Sequence, residues 1–295
     1  MAIPIVFIHQ GNSSYLPWTL LQCRHWNPHS EIILLGDAST RHFGSIVEHV
    51  PFHRYTRQAE EFSQIYQHYS TNGAPYELFC IQRWFILREY LSSRRLTRAV
   101  YLDSDILVYS DLSVAAETAG WNGGMTVAGV SAHSNVIRDL ATLDGYLSYI
   151  TRCYAAPDSN QQLRRLLDDH QRNMGPLGGI SDMTFFRTYR EQFPDEISDV
   201  SVPATDATCF DITIDTAQGM RCSNGYKSVD WKDNQPWCTE ERSGRRVRFH
   251  TLHFQGASKA LLRGFIRPPS TLMALMANCY IGIYHGQRLV RRLHR

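Results

Sequence analysis

Short apolar runs alternate with segments of helical spacing through the first third of the chain. Residues 3–8 form an apolar, β-branched run, and residues 31–35 form a second run that closes at Gly36. Each run predicts a buried strand. Residues 15–25, between them, carry apolar side chains on one side of a helix. A strand, a helix and a strand in this order predict a parallel sheet with helices on its faces.

The same alternation continues along the chain, and it predicts helices, strands and a small hairpin. A turn signal at residues 72–75 precedes a helical pattern. The predicted elements are a helix over 77–91, strands over 99–102, 106–108 and 125–130, a polar-faced helix over 158–169, loops or a small hairpin within 221–246, and a final helix from Ser270. Because no linker is evident, we expect one domain over residues 1–269 and a C-terminal helix with a basic tail over 270–295.

Composition agrees with a globular α/β chain. Of the 295 residues, 43% are hydrophobic and 20% are charged, enough for one large core. A formal net charge of +2 implies no general affinity for nucleic acid. The seven cysteines are scattered, with no Cys-x-x-Cys pair, and the first residues lack a secretory signal. These features favour a reducing compartment and a cytoplasmic protein.

Two aspartates follow the predicted strand over 99–102. Asp103 and Asp105 flank Ser104, and apolar runs stand on both sides of the three residues. Two carboxylates spaced in this way at a strand end can reach one divalent cation, and oxygen ligands suit Mg²⁺ or Mn²⁺. In open α/β sheets, ligands bind outside the carboxyl ends of the strands. A plain strand-end turn is the alternative interpretation.

A second group of candidate residues comes late in the chain. His253 offers an imidazole as a third metal ligand, which would favour Mn²⁺ over Mg²⁺. Gly256 would let the backbone approach a phosphate closely, and Lys259 would place a point charge on it. A buried core histidine is the alternative for His253.

Together these two groups carry a resemblance. An apolar-Asp-Ser-Asp-apolar segment followed by a late His-x-x-Gly-x-x-Lys resembles the GT-A glycosyltransferases, most of all glycosyltransferase family 8 and its relatives. The resemblance implies a GT-A, Rossmann-like α/β fold with a mixed, mainly parallel sheet flanked by helices. It implies metal-dependent hexosyl or pentosyl transfer from a nucleotide-sugar donor, UDP more often than GDP, to a saccharide or other hydroxyl acceptor, with retention of configuration.

The resemblance also assigns residues to the donor and acceptor sides. The metal ligands would be Asp103, Asp105 and His253, and the catalytic residues would be Asp182 and Lys259. The residues expected at the donor are His9, Asn12, Tyr15, Arg83, Asp103, Ser104, Asp105, Gly256 and Lys259. Three purely structural alternatives stay open: Tyr15 as a helix start, Arg83 as a solvated helix cation, and Asp182 as an N-terminal helix cap.

Other functions stay open beside a transferase. Phosphatases of the haloacid-dehalogenase type also use Asp-x-Asp after a strand, but normally after the first strand, whereas this pair begins at Asp103. A nucleotidyltransferase or a non-catalytic nucleotide-sugar- or carbohydrate-binding module could use the same metal pair. The C-terminal run, apolar from Leu272 to Ile283 and then rich in arginine, fits either core packing or peripheral contact with the inner membrane face.

Overall fold

The computed structural model describes residues 2–118 and 120–293, with only the backbone described for Met174 and residues 286–293. The strands are β1 (Ile5–His9), β2 (Ile32–Gly36), β3 (Glu48–Pro51), β4 (Ala99–Leu102), β5 (Ile106–Val108), β6 (Met125–Val127), β7 (Ser134–Ile137), β8 (Ile197–Asp199), β9 (Thr208–Cys209), β10 (Cys222–Ser223), β11 (Tyr226–Lys227), β12 (Asp230–Lys232), β13 (Gln235–Thr239), β14 (Arg246–Phe249) and β15 (Thr251–His253). The helices are α1 (Leu16–Trp26), α2 (Arg57–Ser63), α3 (Ala74–Ser93), α4 (Leu112–Thr118), α5 (Leu140–Ala155), α6 (Ser159–Met174), α7 (Asp182–Gln192) and α8 (Thr271–Leu293). Three 3₁₀ segments cover Ala38–Ser45, Phe52–Tyr55 and Gly256–Phe265.

The chain divides into two compact units. The first unit comprises Met1–Pro51, Val100–Trp121 and Asp199–Arg295. The second comprises Phe52–Ala99 and Asn122–Ser198.

A parallel sheet forms the centre of the first unit. Strands β3, β2, β1 and β4 pair in that order and all run in one direction, with Ile5 opposite both Ile32 and Val100. Every residue of β1, β2 and β4 is buried. Burial on both faces is what a parallel sheet covered by helices requires, and it explains why these strands are uninterrupted apolar runs.

A smaller, mostly antiparallel region completes the first unit. Strands β12, β13, β14 and β9 form a second sheet, and β5 pairs antiparallel with β15. One apolar cluster joins α1, these strands and α8, through residues that include Trp18, Leu107, Leu252 and Ala277. The first part of α8 therefore packs on α1 and the strands of the same unit.

Helices dominate the second unit. The 20-residue helix α3 buries Trp84, Phe85 and Leu87, among others, and begins with a proline in its first turn. Tyr146 on α5 stacks on Phe186 of α7 with ring centroids 3.9 Å apart. Large aromatic side chains therefore build much of the core of this unit.

The predicted mixed α/β fold with a mainly parallel sheet flanked by helices is confirmed. The strand predicted over 125–130 is shorter, because Gly129 takes a left-handed φ of +69° and Ala128 bridges back to Ser131. The patterns did not predict β3, β7 or α5. The expected domain boundary before residue 270 stays a prediction.

The C-terminal helix forms as predicted, as α8. Across the described residues, no helix combines the length and the apolar character needed to cross a membrane. The side chains of Arg288, Arg291 and Arg292, and residue Arg295, which form the predicted basic tail, lie outside the part of the chain that is described. Membrane contact through this tail stays a prediction.

Candidate functional site

Three parallel strands bring their ends to one edge of the sheet in the first unit. His9 ends β1, and its Nδ1 lies 2.8 Å from the hydroxyl of Ser104, which follows β4. Gly11, after β1, donates its N–H to Asp37 Oδ2 after β2 at 2.7 Å. Hydrogen bonds thus connect the loops after β1, β2 and β4, where open α/β sheets bind their ligands.

The two aspartates of the loop after β4 have different surroundings. The Tyr101 hydroxyl donates a hydrogen bond to Asp103 Oδ1 at 2.6 Å. Asp105 is only 8% exposed, and Ser104 is also buried. A carboxylate as buried as Asp105 is stable only with charged or hydrogen-bonding partners.

Asp105 has two nitrogen partners from the late segment of the chain. Its Oδ1 lies 3.5 Å from His253 Nε2, and its Oδ2 accepts an ion pair from Lys259 Nζ at 2.9 Å. Antiparallel pairing sets His253 opposite Ile106, the first residue of β5. Phe254 then donates its N–H to the Asp105 carbonyl at 3.1 Å. The β5–β15 ladder and the 3₁₀ segment after it therefore deliver both nitrogens to one carboxylate.

The orientation of the His253 ring follows from its other nitrogen. Nδ1 lies 2.7 Å from the carbonyl oxygen of Ile212, an acceptor with no proton to give. Nδ1 must therefore carry a hydrogen, so in the neutral ring the lone pair belongs to Nε2, the atom that faces Asp105. Metal-binding histidines are commonly fixed in this way, by a carbonyl or carboxylate on the second nitrogen.

The ionisable side chains of Asp105, His253 and Lys259 shift one another's pKa values. Burial alone would raise the pKa of Asp105, but the hydrogen bond and charge of His253 and the charge of Lys259 hold it well below its ordinary value. Burial lowers the pKa of both His253 and Lys259, whereas the Asp105 carboxylate raises it. The effect of the carboxylate is larger, so the pKa of each group is raised. His9, by contrast, is almost wholly buried, and burial lowers its pKa to about 4. His9 is therefore a neutral ring at physiological pH.

Of the remaining predicted donor residues of the first unit, Tyr15 lies beside this cluster. The Tyr15 ring lies 5.6 Å from Lys259 Nζ and 6.3 Å from the His9 ring. Tyr15 immediately precedes α1 as its N-cap residue, so the helix-start interpretation is confirmed, and its place at the donor stays a prediction. Asn12 is half-buried in the loop between β1 and α1. Gly256 has a φ of +56° and open space where a side chain would stand, so backbone is accessible there.

The side chains near Asp105 offer ligand atoms of the kinds that divalent cations bind. Asp105 and Asp103 offer carboxylate oxygens, and His253 offers an imidazole nitrogen whose tautomer is fixed. Within the described residues, no three His, Cys, Asp or Glu side chains converge as ligands. The Lys259 ammonium is the cation that now pairs with Asp105. The donor atoms therefore suit a divalent cation in type, while Asp105 itself is paired with Lys259.

Two predicted residues, Arg83 and Asp182, belong to the second unit and pair with each other. Arg83 Nη2 lies 2.6 Å from Asp182 Oδ2, and the Trp84 indole donates to the same oxygen at 3.0 Å. Arg83 is mostly buried, so its interpretation as a solvated cation is wrong. The helix cap is Ser181, and Asp182 is the first residue of α7, so the cap interpretation of Asp182 is also wrong.

The sequence did not single out three other polar residues of interest. Asp37 binds the loop after β1, as described above. Asp211 and Lys227 form an ion pair at 2.7 Å in which both side chains are fully buried, and Asp211 Oδ2 accepts the N–H of His253 at 2.9 Å. Asp211 stands in a loop-like stretch with no periodicity, so no sequence signal marked it.

No protein-family model matches this sequence, and a search of curated proteins finds no match either. Among solved structures, the chain is similar to the galactosyltransferase LgtC in complex with donor and acceptor sugar analogs, with 13% identity over 94% of this chain and 96% of that one and a TM-score of 0.48. It is similar to mouse xyloside xylosyltransferase 1, with 9% identity over 67% and 84% of the two chains and a TM-score of 0.44. It is also similar to the glycosyltransferase GlyE of Streptococcus pneumoniae TIGR4, with 14% identity over 95% and 64% and a TM-score of 0.40. The solved structures named here are glycosyltransferases, and since their TM-scores are below 0.5, the function of this chain is argued from its own residues.

Proposed function

We propose that this chain is a glycosyltransferase that moves a sugar from a nucleotide-sugar donor to a hydroxyl group of a saccharide or other acceptor. The observation that carries the proposal is the meeting of His253 and Lys259 at Asp105, beside the carboxyl end of β4. A carboxylate that can hold a cation, next to a half-buried ammonium, suits a diphosphate with its counterion.

The cation would be held by Asp105, Asp103 and Nε2 of His253. An imidazole in the ligand set favours Mn²⁺, with Mg²⁺ as the second choice. When bound, such an ion neutralises the negative charge that grows on a diphosphate as the bond to the sugar breaks. The chain's own part is to hold the neutral ring in its Nδ1–H tautomer, with Nε2 turned toward the carboxylate, which the Ile212 carbonyl supports.

Lys259 would serve the leaving diphosphate. Its side chain is 35% exposed, so the ammonium can reach a ligand in solvent as well as Asp105. Gly256, three residues earlier, leaves the backbone open to a phosphate. His9, Asn12, Tyr15 and Ser104 would lie along the nucleoside, which we propose to be uridine.

Asp182 is proposed as the residue that orients the donor sugar or the acceptor hydroxyl, with Arg83 as its counterion. Its Oδ2 accepts hydrogen bonds from Arg83 and Trp84, and its Oδ1 accepts the N–H of Met183 at 3.0 Å. Because both oxygens of this carboxylate are already occupied by donors of the chain, its geometry suits a positioning role better than that of a general base. This supports a retaining reaction, in which the leaving phosphate takes the acceptor proton.

A donor screen tests the proposal. The purified chain is incubated with UDP- and GDP-sugars, with Mn²⁺ or with chelator, and release of the nucleoside diphosphate is measured. We expect Mn²⁺-dependent release from one donor class, and its loss in Asp105→Asn but not in Asp230→Asn, which alters an exposed carboxylate of the same unit. Binding of a donor without any turnover would instead identify a binding module. Release of inorganic phosphate from phosphate esters would identify a phosphatase.

A further inference from the structure

A short segment of the first unit holds His253 by three separate bonds. Asp211 Oδ2 accepts the His253 N–H at 2.9 Å, and the Ile212 carbonyl accepts Nδ1–H at 2.7 Å. Ile214 donates its N–H to the His253 carbonyl at 2.9 Å. Residues 211–214, which we name the His253 cradle, therefore bind the amide, the carbonyl and one ring nitrogen of a single residue.

The side chain of Lys227 stabilises the cradle from the inside. Its Nζ donates to Asp211 Oδ1 at 2.7 Å, to the carbonyl of Thr213 at 2.7 Å, and to the carbonyl of Thr216. Its own N–H donates to the Ile214 carbonyl at 2.9 Å. An ammonium has three hydrogens, and all three have acceptors within the chain. Lys227 is therefore saturated by these contacts and is not placed to bind a substrate.

The Asp211–Lys227 ion pair is fully buried, which is an energetically costly way to fix a short segment of chain. Both side chains are 0% exposed, and burial raises the pKa of Asp211 against the opposing charge of Lys227. A buried ion pair seldom adds stability compared with apolar residues of the same size. An apolar pair, however, could not accept the His253 N–H or donate to the carbonyls of Thr213 and Thr216. Here the pair fixes the position of the segment that carries the Ile212 carbonyl.

We propose that Asp211 and Lys227 are positioning residues for His253: they hold the cradle so that the ring keeps its Nδ1–H tautomer and presents Nε2 to Asp105. The inference rests on the proposed function only where it names a divalent cation as the partner of Nε2. The tautomer itself is a property of the protein alone.

The test uses Asp211→Asn combined with Lys227→Met, a pair of changes that leaves no unpaired buried charge. Ring ¹⁵N chemical shifts report the tautomer, above the pH at which His253 titrates, with the His253 signals assigned by their loss in His253→Gln. We expect a single Nδ1–H tautomer in the wild-type chain and a mixture of tautomers in the double variant. Mn²⁺ affinity should fall about 10-fold or more, as for other groups that orient a metal-binding histidine.

Asn27→Ala provides the matched control. Asn27 is buried in the same unit, accepts the Leu112 N–H at 2.8 Å and donates to the Ser110 carbonyl at 3.2 Å, and none of these contacts involves His253. It should lower the melting temperature while leaving the His253 shifts and Mn²⁺ affinity unchanged. If the double variant also loses stability but keeps the wild-type His253 shifts, the pair is only structural and the inference is overturned.

Two further outcomes separate this inference from the proposed function. A change of tautomer in the double variant, with no Mn²⁺ binding by the wild-type chain, would support the positioning role and contradict the metal role. If the double variant does not fold, Asp211→Asn alone takes its place, since a buried lysine without its partner can lose its proton. Unchanged His253 shifts in that variant would equally overturn the inference.

Discussion

At the scale of single residues, one carboxylate has competing partners. Asp105 accepts Lys259 at 2.9 Å on the oxygen next to the one that faces His253. A divalent cation and the Lys259 ammonium are rivals for this carboxylate, because each neutralises the same charge. In a donor complex, the diphosphate would give Lys259 a second anion to pair with. Cation and donor should therefore bind with positive coupling.

Lys259→Met tests this competition. In the absence of donor we expect Mn²⁺ to bind more tightly, by about fivefold, since a partly exposed ion pair contributes on the order of 1 kcal/mol. Sugar transfer should nevertheless fall, by on the order of 10²-fold, because the leaving diphosphate loses a positive partner. Isothermal titration with Mn²⁺ and a turnover assay measure the two effects.

Arg263→Met is the control for Lys259→Met. It removes one positive charge from the same 3₁₀ segment, where Arg263 lies over the Trp18 ring at 5.3 Å. We expect little change in Mn²⁺ affinity. Unchanged or weaker Mn²⁺ binding in Lys259→Met would show that Lys259 does not compete with a metal at Asp105.

At the scale of elements, two helices of the second unit are joined by a buried ion pair. Arg83 on α3 and Asp182 at the start of α7 have side chains that are 13% and 5% exposed. Removing one partner leaves the other charge buried and unpaired, which costs about 3 to 5 kcal/mol in comparable cases. We therefore expect Asp182→Asn to destabilise the chain by about that amount in urea unfolding.

Arg88→Met, on the same helix, serves as the comparison. Arg88 pairs with Asp144 of α5 at 2.6 Å, but the Asp144 side chain is half-exposed. An exposed pair contributes about 1 kcal/mol at most. If Asp182→Asn costs no more than Arg88→Met, the Arg83–Asp182 pair does not hold α3 and α7 together.

The elements also show what the sequence could predict. Strands β1, β2 and β4 were predictable because burial on both faces demands continuous apolar runs. Strand β3 reads Glu-His-Val-Pro and lies at the end of the sheet order, where polar residues are tolerated, so no run marked it. The spacing of Asp105, His253 and Lys259 marked them as candidates, and the structure brings these three side chains together. Asp211 was not marked, because its role depends on a contact 42 residues away along the chain.

At the scale of the whole molecule, buried histidines make stability depend on pH. Burial lowers the pKa of His9 and of His250 from 6.5 to about 4. Below pH 6.5 these two histidines are therefore protonated in the unfolded chain but stay neutral in the folded chain. The free energy of unfolding consequently falls as the pH is lowered to about 4. Each histidine contributes roughly 3 kcal/mol to this loss at most. His253 acts in the opposite direction, since its pKa is raised and its contribution is present at low pH.

Urea unfolding at several values between pH 7 and pH 4 measures this dependence. His250, whose Nδ1 lies 2.9 Å from the Ser110 hydroxyl, is not among the proposed site residues. In His250→Gln, the free energy of unfolding should fall less steeply with acidification than in the wild-type chain. An equal slope in the two proteins would show that His250 does not stay neutral in the folded state.

Asp105 is the residue on which the proposed binding of both cation and diphosphate depends. The most direct test is the rate of sugar transfer by Asp105→Asn, measured with the preferred donor and Mn²⁺ beside Asp230→Asn and the wild-type chain. We predict a folded protein whose rate is lower by on the order of 10²-fold or more, because the cation loses a principal ligand. Near-normal transfer by folded Asp105→Asn, with Mn²⁺ or with chelator, would show that Asp105 does not hold a catalytic cation.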